Sequence, residues 1–301
     1  MRTELLVEAI GAKARSILKA GAVGKITATF ERSCYLETGG DWICLAAGGT
    51  GRSPITLTCQ QFGNDWPSGQ LREGLPVRVD RDGLRLGANI RFVTADAVTW
   101  WPAPPPDWTV ASLVDGLNLL REHASGMLPQ EGLAAFLLDD APNLVGAPVP
   151  REAVAAALPI ALLRDWLAQS SGPADQGITG LVGLGPGLTP SGDDLVGGAM
   201  IALHLLGCPE RAAELYRTIR PALANGTNAV SRALFAAAAE GMGGESLHAA
   251  LSAVLSADRA VMAERMQAID RIGHSSGWDA LTGAIMVLRH WARTRPDQGQ
   301  E

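Results

Sequence analysis

Hydrophobic and polar positions change rhythm twice along the chain. Over residues 4–19 the apolar side chains Leu5, Val7, Ile10, Ala14, Ile17 and Leu18 recur at helical spacing, and Gly21 supplies a stop, so the pattern predicts a first helix there. From Lys25 the texture becomes short and β-prone: Ile26–Phe30, Cys34–Glu37, Trp42–Leu45, Ile55–Cys59, Val77–Val79 and Ile90–Val93. Turn clusters such as Gly39-Gly40-Asp41, Gly48-Gly49-Thr50-Gly51 and Trp66-Pro67-Ser68-Gly69 separate these runs. Their spacing predicts a small antiparallel sheet or barrel ending near residue 98. After it the rhythm is helical almost throughout, with helices expected near 108–124, 130–138, 151–170, 191–206, 209–223, 228–240, 245–255, 257–271 and 277–293.

Between the two textures lies Trp101-Pro102-Ala103-Pro104-Pro105-Pro106. Three consecutive prolines fit neither a helix interior nor a central strand. The expected organisation is therefore α+β: a β-rich N-terminal domain over 1–100, a proline-rich linker over 101–107, and a larger α-helical domain over 108–301 with a buried central helix.

Composition narrows the chemistry. The chain has 301 residues, 47% hydrophobic and 19% charged, with a formal charge of −6. That balance reads as globular and offers no general attraction to nucleic acid, so any anion site must be local. Cys34, Cys44, Cys59 and Cys208 show no paired-ligand spacing. Reduced thiols and a cytoplasmic location are the expectation, and no apolar run is long enough for a membrane span.

The strongest chemical signal is Gly183-Leu184-Gly185-Pro186-Gly187-Leu188-Thr189-Pro190-Ser191-Gly192-Asp193-Asp194, followed by an apolar stretch to Leu206. Glycines at alternate positions let the backbone approach a ligand, and Ser191 with Asp194 fits a capping box, with Thr189 before Pro190 as the alternative helix start. A helix N-terminus presents free N–H groups and a positive dipole end, so Gly185, Gly187, Thr189, Ser191 and Gly192 are candidates to hold phosphate or carboxylate. A second segment, Gly273-His274-Ser275-Ser276-Gly277-Trp278-Asp279, repeats the theme. Shifted by 85 residues it matches the first at six of the thirteen positions from Ser191 to Leu203. The two helices are therefore expected to be pseudo-equivalent and to converge on one site, with Ser275, Ser276, Gly277 and Asp279 adding to it.

A third segment, Asn225-Gly226-Thr227-Asn228, opens another helix. It either caps that helix or lends Asn225, Thr227 and Ser231 to a substrate, with Arg232 as counter-ion. Asp193, Asp194 and His274 are the candidates for proton transfer. No cofactor is predicted, and a divalent metal at Asp193 and Asp194 is a weak alternative.

The strings GLGPGLTPSGDD, TNAVSRALFAAAAEG and IGHSSGWDALTG resemble a bacterial family, formerly of unknown function, that includes the AllH subunit of oxamate carbamoyltransferase. The resemblance covers roughly residues 180–290; the N-terminal half matches in its β-rich character and a loose stretch at Gly51–Leu57. It implies a subunit acting with partner subunits in allantoin and purine breakdown, interconverting oxamate plus carbamoyl phosphate with oxalurate plus phosphate. Gly185, Gly187, Ser191 and Gly192 would then cradle one anion, and Ser275, Ser276 and Gly277 the other. Two further readings stay open: a non-catalytic ligand-binding or regulatory subunit, and a metal-dependent amidohydrolase.

Overall fold

The computed structural model describes residues 3–60, 66–138, 149–169 and 172–295. The chain divides into two compact units, Met1–Pro102 and Ala103–Glu301.

The first unit is a closed barrel. Its strands are β1 (Thr3–Gly11), β2 (Val23–Thr29), β3 (Ser33–Thr38), β4 (Asp41–Ala46), β5 (Thr56–Cys59), β6 (Pro76–Asp80), β7 (Gly83–Leu86), β8 (Ile90–Val93) and β9 (Val98–Trp100). They run in the order β5-β4-β3-β2-β6-β7-β8-β1, and β1 pairs back onto β5 to close eight strands. β9 extends the sheet by pairing with the C-terminal part of β1, Ala9 opposite Val98 and Gly11 opposite Trp100. The pairing is mixed: β1–β8, β1–β9 and β4–β5 are parallel and the rest antiparallel. Closure removes free sheet edges. Alternation fills the interior, as on β3, where Cys34, Leu36 and Thr38 are buried and Ser33, Tyr35 and Glu37 are not.

The helix expected over 4–19 is corrected. Thr3–Gly11 is strand β1, and only Ala12–Ile17 is helical (α1). Leu5, Val7 and Ala9 satisfy a period of two as well as the helical one. Two partner strands, β5 and β8, decide between them, because β1 is the strand that closes the barrel.

The second unit is helical: α2 (Val110–Ala124), α3 (Ala135–Leu138), α4 (Arg151–Ala168), α5 (Ser191–Leu205), α6 (Pro209–Gly226), α7 (Ala229–Ala238), α8 (Glu245–Leu255), α9 (Arg259–Asp270) and α10 (Ser276–Thr294). Position 170, the predicted end of α4, lies outside the described residues. Both α5 and α10 are buried along most of their length, as their apolar sequences require. Around them stand α2, α4, α6, α7, α8 and α9, which contribute Leu119, Leu163, Leu215, Phe235, Leu251 and Met266 to one core.

Candidate functional site

The N-termini of α5 and α10 meet. The Thr189 hydroxyl, just ahead of α5, lies 2.8 Å from the Ser276 hydroxyl at the start of α10. Each helix begins at its Ser-Gly pair, after Pro190 and Ser275 respectively. The two starts are built alike: a Cβ on Gly192 would stand 2.0 Å from the Leu181 carbonyl oxygen, and one on Gly277 would stand 2.2 Å from that of Ile269. Each of these glycines lets its helix begin against a preceding backbone segment.

The aspartates do not close the capping boxes that their spacing suggests. Asp193 accepts from the Gly183 amide at 2.7 Å and from the Thr227 hydroxyl. It thus ties the glycine-rich loop to the loop before α7. Asp279 accepts from the Leu133 amide at 2.6 Å and from the Ser275 hydroxyl at 2.8 Å, tying α10 to the turn that precedes α3. Both carboxylates hold loops together rather than terminate their own helices.

Asp194 differs from them. Its Oδ2 is sealed from solvent and has no hydrogen-bond partner. Burial pushes its carboxyl well above the usual carboxylate range, Asp279 and Asp193 add to the rise, and the hydroxyls of Ser276 and Thr189 pull the other way. Burial likewise raises Asp193, opposed by Gly183, Thr227 and Ser231. It raises Asp279 too, opposed by Leu133, Ser191 and Ser275. The serine of each helix start thus serves the aspartate of the other, Ser191 for Asp279 and Ser276 for Asp194.

Not every expected donor stands free. The Gly192 amide donates to the Leu184 carbonyl at 2.9 Å and the Gly277 amide to that of Ile272 at 3.1 Å. These two amides are committed to the fold. What remains open is the loop ahead of α5, where Gly185 and Gly187 have φ of 113° and 90° and Pro186 and Gly187 are exposed.

Thr227 and Ser231 join the cluster. Ser231 donates through its hydroxyl to the Leu188 carbonyl at 3.2 Å, and Arg232 donates to the Thr227 carbonyl at 2.8 Å. Asn225 does not join it: it is exposed in the last turn of α6. The capping role belongs to Asn228, which accepts from the Ser231 amide and donates to the Leu188 carbonyl. His274 also stands outside, its side chain 90% exposed and 3.5 Å from Glu131. Sequence reasoning missed the turn at Glu131-Gly132-Leu133. Gly132 has φ of 70°, and a Cβ there would stand 2.5 Å from Asp279 Oδ1; the Pro129-to-Gly132 turn composition was its one signal. Among the described residues no group of three His, Cys, Asp or Glu side chains is placed to hold a metal ion, and no helix is long and apolar enough to cross a membrane.

The chemistry of the cluster is that of hydroxyls and poorly solvated carboxyls at two positive helix ends. Such groups can accept N–H donors, and burial makes the carboxyls hold a proton to higher pH than solvated ones. Residues 181–288 match the family model described as oxamate carbamoyltransferase subunit AllH, and residues 6–99 match that described as the AllH family N-terminal domain. No curated protein and no solved structure matches the chain.

Proposed function

The chain belongs to the AllH family, and from that premise we propose that it is a subunit of an oxamate carbamoyltransferase-type enzyme whose paired helix mouths hold the small substrates. The observation that carries the reading is the Thr189–Ser276 contact, which joins two Ser-x-x-Asp helix starts into one polar cluster. Carbamoyl transfer from carbamoyl phosphate forms a bond from the oxamate nitrogen to the carbamoyl carbon and breaks the bond from that carbon to the phosphate oxygen. The oxamate nitrogen loses a proton, and phosphate leaves with the electron pair.

Asp194 suits the proton. A carboxyl whose proton affinity has been raised by burial is, once ionised, a stronger base than a solvated one. Asp193 and Asp279 are already engaged as loop holders, so they position rather than react. Arg232, bonded to the Thr227 carbonyl, is the side chain we assign to the phosphate or carboxylate charge. The Gly185–Thr189 loop takes the developing oxyanion through its amides. Three neighbouring carboxyls oppose a dianion, so partner subunits are expected to supply further positive charge.

Activity should appear only when partner subunits are mixed with the chain, and Asp194→Ala should abolish turnover while calorimetry still detects substrate. An Asp194→Ala complex with full turnover would remove Asp194 from the chemistry. It would favour the second reading, a ligand-binding or regulatory subunit, which the loop-holding roles of Asp193 and Asp279 also suit.

A further inference from the structure

Helix α4 buries one side against the helical core, through Ala156, Ile160, Leu163 and Leu167. Its outer side is not the polar one that a solvated helix should present. Val154 is 58% exposed, and Leu158, one turn on, is 69% exposed, the highest value of any large apolar side chain among the described residues. Ala155 is exposed between them, and Ala161 and Leu162 continue the stripe half-buried. A lone exposed leucine needs no explanation, but a continuous stripe along one helix face marks a surface that another surface covers.

The order of the residues says what covers it. About Leu158 the helix is mirrored in kind. Three positions to either side stand Ala155 and Ala161, and four to either side Val154 and Leu162. Seven to either side stand Arg151 and Asp165, a cation opposite an acid. Six to either side, on the flanks, Glu152 and Arg164 repeat the opposition with the signs exchanged. Residues seven apart drift by only about 20° around a straight helix, so Arg151, Leu158 and Asp165 share the exposed face. Among the described residues neither Arg151 nor Asp165 has an ion-pair partner.

A face that is apolar in the middle, basic at one end and acidic at the other is complementary to itself turned end for end. In that antiparallel arrangement Leu158 meets Leu158 on the two-fold axis and Val154 meets Leu162. Arg151 of each copy faces Asp165 of the other, and the small Ala155 and Ala161 allow the axes to approach. We propose that the outer face of α4 is a homodimer interface, covered by α4 of a second copy of this chain packed antiparallel about Leu158. An apolar surface of another kind would cover the leucines and leave the opposed end charges unmatched. A single helix pair lies at the small end of specific interfaces, under about 1,200 Å², so the dimer should exchange with monomer.

The test is sedimentation equilibrium of the full chain from about 1 to about 200 µM, over which the mass should rise from one copy to two. Leu158→Lys should raise the dissociation constant by about a hundredfold or more. The side chain is exposed, so the far-ultraviolet dichroism should not change. Arg151→Asp and Asp165→Arg should each weaken the dimer by about tenfold, and the double variant should restore it. Both reversals suit the helix dipole, so neither threatens the fold. A folded wild-type chain that stays monomeric throughout would overturn the proposal. If Leu158→Lys then prevented assembly with other subunits, the face would belong to a different chain. A dimer that Leu158→Lys leaves intact overturns it equally, and a double variant no tighter than the singles would refute the antiparallel pairing.

Discussion

Gly198 on α5 lies so close over Ala280 on α10 that a Cβ would stand 1.9 Å from the Ala280 carbonyl oxygen. Eighty-five positions later the contact recurs with the helices exchanged: a Cβ on Gly283 would stand 1.8 Å from the carbonyl oxygen of Leu195, the counterpart of Ala280. Together with the crossed pairs Ser191–Asp279 and Ser276–Asp194, this relates α5 and α10 by a local pseudo-two-fold. Close approach at the glycines brings the two starts within reach of each other. The packing of the core and the geometry of the site are therefore one arrangement.

Gly198→Ala and Gly283→Ala should each destabilise the protein, although alanine is favoured over glycine by about 1 kcal/mol in an exposed helix. The new methyl meets backbone, which cannot rotate away. A net loss of about 1–3 kcal/mol is expected for each. The double variant should be non-additive, because the first separation of the helices relieves the second clash. Urea unfolding of the singles and the double measures this, and an unchanged midpoint for both singles would contradict the close packing.

Asp193→Ala should loosen the glycine-rich loop. It leaves the Gly183 amide and the Thr227 hydroxyl without their acceptor, at a cost of about 1–3 kcal/mol for each group that stays buried. Asp193→Asn should be much milder. Its carbonyl can still receive the Gly183 amide, and the Thr227 hydroxyl can turn to accept from the new NH2. Hydrogen exchange at the Gly183 amide should accelerate strongly in the first variant and only slightly in the second.

Sequence periodicity served the helical unit well because its helices bury clear stripes and end at ordinary stops such as Gly207-Cys208-Pro209. It served the barrel less well. Leu5 and Val7 belong to the apolar set read as helical and also fit the strand period, and only the partners β5 and β8 choose between them. β7, Gly83–Leu86, is four residues of Gly-Leu-Arg-Leu, too short a run to stand out. At the site, the repeat of Ser191 to Leu203 in Ser276 to Leu288 foretold that two similar helices pair. Local sequence could not tell that Asp279 would reach Leu133, 146 positions away, nor that His274 would face outward.

Asp194→Asn should raise stability at neutral and alkaline pH and have little effect in acid. In the unfolded chain Asp193, Asp194 and Asp279 lose their protons near about 4. In the fold burial holds those protons to higher pH. The folded state thus binds more protons in that interval. Its stability is full below the unfolded value and is lost as pH rises through the raised one. Removing the titration at the most deeply shielded group should flatten the decline. Thermal unfolding across the pH range checks it; equal slopes for wild type and variant would show that Asp194 ionises as freely in the fold as outside it.

His248 should produce the opposite slope. Its Nε2 accepts from the Gly243 amide at 3.0 Å, so that nitrogen carries no proton in the fold, and burial lowers its pKa from 6.5 to about 4. Between those values the unfolded chain binds the proton and the folded chain does not. Stability from this residue is complete above about 6.5 and falls as pH drops toward about 4, by up to about 3 kcal/mol. A glutamine can present a carbonyl oxygen to the same amide without titrating. His248→Gln should therefore flatten stability over this acid interval while costing some packing at neutral pH. If the variant keeps the wild-type acid slope, the slope belongs to other groups, and the Gly243 amide does not hold the imidazole in its neutral form.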